Sequence, residues 1–247
     1  MRADSKERRG LRGFASLPDI LTLVTQALRA TVAFLFDVDN TLIDNDSVKA
    51  ELAAGIDVAV GKEAGARFWE IYEEVRGMRD YVDYPHTLQR FREAYPREPG
   101  FPEVAELVLG YPYQSVLYPG ALDVLAHVQT VGPAAIVTDG DPVYQAAKIA
   151  RAGLAEAVDR RVFLYAHKEA HLVEVKEALP ADRYLIFDDK LSVLDAVERL
   201  DERVFTVHVR QGHYGVAAAV GDGHGPDRSL ERIGDLLEED LASFLAN

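Results

Sequence analysis

Three pairs of polar residues each follow directly on an apolar run. Asp37 and Asp39 follow residues 31–36, Thr138 and Asp139 follow residues 134–137, and Asp188 and Asp189 follow residues 184–187. Carboxylates brought together repel, and they are costly to strip of water unless a cation joins them. A set of oxygen donors suits a hard ion such as Mg²⁺, which binds oxygens at about 2.0–2.1 Å. Carboxylates are also nucleophiles toward phosphoryl groups and can work as general acids or bases.

The elements that carry these residues follow from hydrophobic patterning. Near-continuous apolar runs at 31–36, 134–137 and 184–187 fit strands buried on both faces, and 162–165 and 204–209 are further candidates. Helical patterns lie between them at 121–129, 143–152, 171–179 and 192–200. Strand–helix alternation predicts right-handed βαβ units and an α/β fold, a Rossmann-like doubly wound parallel sheet. In such a sheet ligands bind outside the carboxyl ends of the strands. The three polar pairs fall at those ends.

One interval breaks the rhythm. Residues 44–116 contain no convincing strand, and instead helical stretches at 63–76, 88–95 and 101–109, with Pro85, Pro96, Pro99, Pro102 and Pro112 as punctuation. This predicts an α-helical cap subdomain at 45–115, inserted into a core made of 18–44 and 116–247. The chain returns to the sheet near Tyr118-Pro119-Gly120. Residues 1–17 read as a frayed tail ahead of a short helix from about Pro18.

Composition narrows the partners. The chain has 247 residues, no cysteine and a formal charge of −14. Disulfides, thiolate metal sites and cysteine nucleophiles are excluded. The charge argues against a nucleic-acid or anionic-membrane binder, while a few local cations or a metal still allow an anionic small substrate. No apolar run approaches the 18–20 residues or so of a membrane span. The basic N-terminus lacks the clean apolar segment of a signal peptide. A cytoplasmic location is the expectation, with homodimerisation left open.

The run Phe34-Leu-Phe-Asp37-Val-Asp39-Asn40-Thr41-Leu42 resembles the first motif of the haloacid dehalogenase (HAD) superfamily, an apolar strand followed by Asp-x-Asp-x-Thr. Thr138 with Asp139-Gly140 resembles motif II, Lys168 motif III, and Asp188-Asp189 the acidic motif IV. Thr138 lies 101 residues after Asp37, Lys168 a further 30, and Asp188 a further 20; the first interval has room for a cap. The resemblance spans roughly residues 31–215. It departs from the common pattern at Glu169, where Pro often follows the motif III lysine, and at Asp139, where Asn often follows the motif II threonine. Lys148 is a competing motif III lysine, less favoured because it lies inside the helix after Thr138.

The resemblance implies a Mg²⁺-dependent phosphatase acting on a small phosphomonoester. Asp37 would be the nucleophile that forms an aspartyl-phosphate, and Asp39 the general acid and base. Thr138, Asp139, Gly140 (through its backbone N–H) and Lys168 would bind the phosphate, Lys168 also neutralising the transferring group. Mg²⁺ would be held by Asp37, the backbone carbonyl of Asp39, Asp188 and Asp189, with Asp189 favoured as a direct ligand. Asp39 separates phosphatases from the dehalogenases that name the superfamily, which need no metal and generally lack this second acid. Two alternatives stand: a HAD-type phosphomutase using the same residues, and a non-catalytic phosphate-binding regulatory protein.

Several features have simpler readings. Asp188-Asp189 suits an N-cap pair for the helix beginning near Leu191. His167 and His171 share an i, i+4 spacing without the further ligands of a histidine metal site. Gly221 to Pro226 reads as a flexible loop and Glu238-Glu239-Asp240 as a solvated helix face. In the cap, Arg67, Trp69, Tyr72, Arg76, Arg79, Tyr81, His86 and Arg90 are of types that contact substrates, and most must be ordinary surface or packing.

Overall fold

The computed structural model describes residues 31–79, 81–217 and 225–241. The expected N-terminal tail, the short helix from Pro18 and most of the Gly221–Pro226 run lie outside the described residues. The described chain builds a six-stranded sheet in the order β3-β2-β1-β4-β5-β6, parallel throughout. The strands are β1 (Val32–Phe36), β2 (Ala134–Asp139), β3 (Val162–Tyr165), β4 (Arg183–Asp188), β5 (Val204–Val209) and β6 (Arg228–Leu230). Only β6 was without a sequence signal. Three residues with a charge at one end carry no periodicity, and pairing with β5 holds them extended.

Alternation along the strands divides the core. Phe34 and Phe36 of β1 point to one face with Ile136, Leu185 and Phe187, and Phe36 stacks on Phe187 with ring centroids 4.5 Å apart. Ala33 and Leu35 point to the other face, against Val175 of α7 (Leu172–Ala178) and Leu194 and Val197 of α8 (Leu191–Leu200). Burial on both faces explains why these strands read as unbroken apolar runs.

Between β1 and β2 the chain forms α1 (Asn45–Arg79), α2 (Tyr84–Ala94) and α3 (Phe101–Gly110), then a short 3₁₀ turn at Tyr113–Val116. Helix α1 is far longer than the expected 63–76, and is two helical stretches joined at Gly61, whose φ of 80° only glycine adopts without strain. Its first half has small residues and scattered polar ones, so the helical period is faint there. Helix α2 begins four residues before the expected start. Asp83 caps it by accepting the His86 N–H at 2.8 Å, and Pro85 sits in the first turn, as Pro102 does in α3. Those prolines begin helices instead of separating them. The cap's apolar residues, among them Leu52, Phe68 and Phe91, belong to the same cluster as Phe34 and Phe36. At about 2 kcal/mol for each large side chain buried, that continuity seats the cap on the sheet.

The chain then continues through α4 (Ala121–Val128), α5 (Pro142–Arg151), the single-turn α6 (Leu154–Ala157), a 3₁₀ turn at Lys168–His171, and α9 (Gly212–Ala217). The return to the sheet occurs at Tyr118, whose N–H donates to the Leu42 carbonyl at 2.9 Å. Among the described residues no helix is long and apolar enough to cross a membrane.

Candidate active site

The ends of β1 and β4 are tied together where the Asp37 N–H donates to the Phe187 carbonyl at 3.0 Å. That bond brings Asp37 alongside Asp188, and both are almost fully buried, as is Asp189. Lys168, in the turn after β3, reaches in between. Its ammonium contacts Asp37 Oδ1 and lies 2.5 Å from Asp188 Oδ2. Burial works against the Lys168 charge, but Asp188, Asp37 and Asp139 outweigh it and hold the ammonium above its ordinary range. Burial likewise pushes Asp37 upward, and the Lys168 and Lys190 charges more than offset this, leaving it a carboxylate.

Lys168 and Lys190 do not satisfy all three acids. One oxygen from each of Asp37, Asp188 and Asp189 lies within 4.8 Å of the other two. Burial, together with the Asp188 and Asp37 charges, pushes the Asp189 carboxyl up to about 8. Asp37 Oδ2 and both Asp189 oxygens are buried without a hydrogen-bond partner. Such oxygens cost on the order of 1–3 kcal/mol each unless something joins them. An all-oxygen set with unpaired, converging atoms fits a hard divalent cation. The pair does not cap α8 as its spacing suggested. Lys190 is the N-cap residue without a side-chain bond, and Asp188 Oδ1 instead accepts the Lys190 N–H at 2.9 Å.

Asp39 sits differently. Its side chain is 31% exposed and opens into a cleft of about 260 Å³ between sheet edge and cap. Lys148 contacts its Oδ1, and Gln145 Nε2 lies 3.4 Å from its Oδ2 and 3.3 Å from Thr138 Oγ1. Lys148 also donates to Asn45 Oδ1 at 2.9 Å. Helix α5 positions this group. Asp141 caps it, accepting the N–H groups of Val143 at 3.1 Å and Tyr144 at 2.7 Å, and Gln145 and Lys148, three apart, share one face. Both competing lysines are therefore at the site, Lys168 on Asp37 and Lys148 on Asp39. A place inside a helix did not remove Lys148, because α5 runs along the cleft wall.

Two expected phosphate contacts are already engaged. The Gly140 N–H donates to the Tyr165 carbonyl at 3.0 Å, so it is not a free anion donor as expected. Gly140 has φ 145°, and a Cβ there would press on Gln145. Asp139 accepts the Lys168 backbone N–H at 2.7 Å, and burial pushes its carboxyl up to about 6. It fixes the start of the Lys168 turn. Thr138 is buried at the strand end beside Gln145.

Lys190 has no counterpart in the sequence reading. It lines the cleft, and although burial works against its charge, Asp37 raises its pKa. A lysine directly after the acidic pair was the available signal. Of the cap candidates, Tyr72, Arg76 and Tyr81 line the cleft. Arg67 and Arg90 instead pair with Glu74, Trp69 packs edge-on against Phe68, and Arg79 lies 3.8 Å from Asp83. His171 stacks on Tyr165 and contacts Glu174 at 2.9 Å. Glu239 ion-pairs with Arg228 just after the 3₁₀ turn Ile233–Glu238, so the acidic run is not simply a solvated helix face.

The chain is similar to known proteins in both sequence and fold. The sequence model for haloacid dehalogenase-like hydrolases matches residues 31–227. A haloacid dehalogenase-like hydrolase from Burkholderia xenovorans is 42% identical; the similarity covers 88% of this chain and 100% of that one, with a TM-score of 0.79. Two others share the fold. YfnB of Bacillus subtilis, solved bound to magnesium, is 16% identical over 85% of this chain and 98% of its own (TM-score 0.57). The L-2-haloacid dehalogenase of Xanthobacter autotrophicus, solved with chloropropionic acid covalently bound, is 21% identical over 83% and 96% (TM-score 0.54). No curated protein matches the chain. The chain belongs to the haloacid dehalogenase-like hydrolases.

Proposed function

We propose that this hydrolase is a Mg²⁺-dependent phosphatase that cleaves a small phosphomonoester through an aspartyl-phosphate on Asp37. The observation that carries the reading is the set of unpartnered buried oxygens on Asp37 and Asp189 beside Asp188. A metal-free halide displacement needs one nucleophilic carboxylate and one base to activate water, and leaves the third converging acid without a role. Asp37, Asp188 and Asp189 would hold the ion, which supplies charge neutralisation at the phosphoryl oxygens. The chain's own residues do the rest. An Asp37 carboxylate oxygen attacks phosphorus while the bond to the leaving oxygen breaks, and Asp39 protonates that oxygen. Asp39 then takes a proton from water, the water oxygen attacks phosphorus, and Asp37 leaves as a carboxylate. Lys148, Gln145 and Asn45 hold Asp39 and its surroundings in place. Lys168 offsets the charge of the phosphoryl group, and Thr138 hydrogen-bonds one of its oxygens.

The test is phosphate release from phenyl phosphate with and without Mg²⁺, with Asp37→Asn as control and 2-chloropropionate as the competing substrate. Mg²⁺-dependent release that vanishes in Asp37→Asn is expected. Halide release without metal, or phosphate release that survives Asp37→Asn, would overturn the reading.

A further inference from the structure

The cap wall of the cleft presents a cation with spare donors. Arg76 lies in the last turn of α1 and lines the cleft. Its only hydrogen bond among the described residues is a long one, 3.4 Å to the Tyr214 hydroxyl, and its carboxylate neighbour Glu73 is 3.6 Å away. Glu73 is divided further, because Lys49 lies 3.6 Å from it as well. A guanidinium carries five donors in a planar fork, so most of this one is uncommitted. The cleft also has three lysines, of which Lys49 lies 4.9 Å from the Tyr72 ring centroid and offers a compact ammonium in place of a planar fork. Lys148 is taken by Asp39 and Asn45, and the Lys190 charge acts on Asp37.

Arg76 shares the cleft lining with Asp39. Tyr214 lies between Arg76 and Lys190, with Arg76 at its hydroxyl and Lys190 5.6 Å from its ring centroid. Tyr72, on the same wall, feels both the Arg76 and Asp39 charges. The cleft is small, about 260 Å³, and Tyr72, Tyr81, Tyr84 and Tyr113 line it. It suits a compact body carrying a phosphoryl group at one end.

We infer that Arg76 is a specificity residue for a second oxyanion on the substrate, so that the preferred substrate class is a compact phosphomonoester bearing a carboxylate or a second phosphoryl group. The inference rests on the phosphatase reading for the first anion only. In a protein of charge −14, a dianionic or trianionic substrate needs such a local cation in the cleft wall.

The test separates binding from turnover. Binding of phenyl phosphate, 3-carboxyphenyl phosphate, the methyl ester of the latter, and 1,3-phenylene bisphosphate is measured calorimetrically with Mg²⁺, on full-length Asp37→Asn protein with Arg76 intact or replaced by Met. The second anion should tighten binding about ten- to a hundredfold over the methyl ester, the range of a charge-assisted pair. Arg76→Met should remove that advantage while leaving phenyl phosphate binding unchanged, and Arg76→Lys should restore part of it. The stronger of the carboxylate and bisphosphate advantages identifies the oxyanion. No advantage for either, or one that survives Arg76→Met, overturns the inference. Wild-type turnover of the same esters tests the parent reading separately: an Arg76-dependent advantage in binding without Mg²⁺-dependent phosphate release removes the phosphatase and leaves anion recognition standing.

Discussion

The floor and the roof of the cleft hold charge in opposite ways. On the floor, Asp37, Asp188, Asp189 and Lys168 are buried, touch or crowd one another, and leave oxygens without partners. On the roof, Arg76, Lys49 and Glu73 are about half exposed and sit 3.6 Å apart in loose pairs. Buried charges depend strongly on each other, because removing one strands the rest in a poor solvent. Exposed charges are screened and contribute little to stability. The floor is therefore a single electrostatic unit suited to one chemistry, whereas the roof can exchange residues without disturbing the fold.

The largest break in that contrast is Lys168→Met. It leaves Asp37 and Asp188 buried without their shared cation, and should cost about 3–5 kcal/mol in chemical denaturation of the metal-free protein as well as abolish phosphate release. A loss no larger than that of a surface lysine would show that the floor is not one unit.

Asp189→Asn acts next. Mg²⁺ affinity, read by titration calorimetry, should fall by more than about a hundredfold, beyond the roughly 10- to 100-fold lost when a residue that only supports a ligand is changed. The metal-free variant should nevertheless be more stable than its parent, because a buried, unpartnered carboxylate is gone. Unchanged metal affinity would remove Asp189 from the ligand set.

Asp139→Asn sharpens the contrast within the floor. The folded carboxyl titrates at about 6, above the roughly 4 of an unfolded chain. Between those values the folded state holds a proton that the unfolded state has lost, so stability falls as pH rises through the window and stays lower above it. Asn carries no charge and can still accept the Lys168 N–H. The variant should match the parent near pH 4 and exceed it by about 2 kcal/mol at pH 8. A stability difference equal at both pH values would rule out Asp139 as the source.

The smallest effect is on the roof. Arg76→Met should change unfolding free energy by less than about 0.5 kcal/mol, since its pairs are long and half exposed. A loss above 2 kcal/mol would make Arg76 part of the cap's packing.

What could be read from the chain alone follows from how local each signal is. Asp37, Thr138 and Asp188 were legible because each ends an apolar run, and a parallel sheet puts run ends on one edge. Lys168 was legible only through the order of motifs. The first half of α1 was not, because Gly55 and Gly61 and a faint period hide a helix held by packing. Gly140 was misread because an N–H looks the same in sequence whether a ligand or the Tyr165 carbonyl accepts from it.

The sequence by itself determined the fold class, the inserted helical segment and the acids at the strand ends, since these depend on periodicity and on residues that follow one another in the chain. Only the tertiary structure decided that Lys168 serves Asp37 and Lys148 serves Asp39, that the Lys190 charge acts on Asp37, and that Arg76, not Arg67 or Arg90, faces the cleft. Those pairings join residues 109 and 131 positions apart. They arise when the sheet order and the seating of α1 and α5 bring distant side chains together, and no local pattern encodes which of several similar cations will arrive.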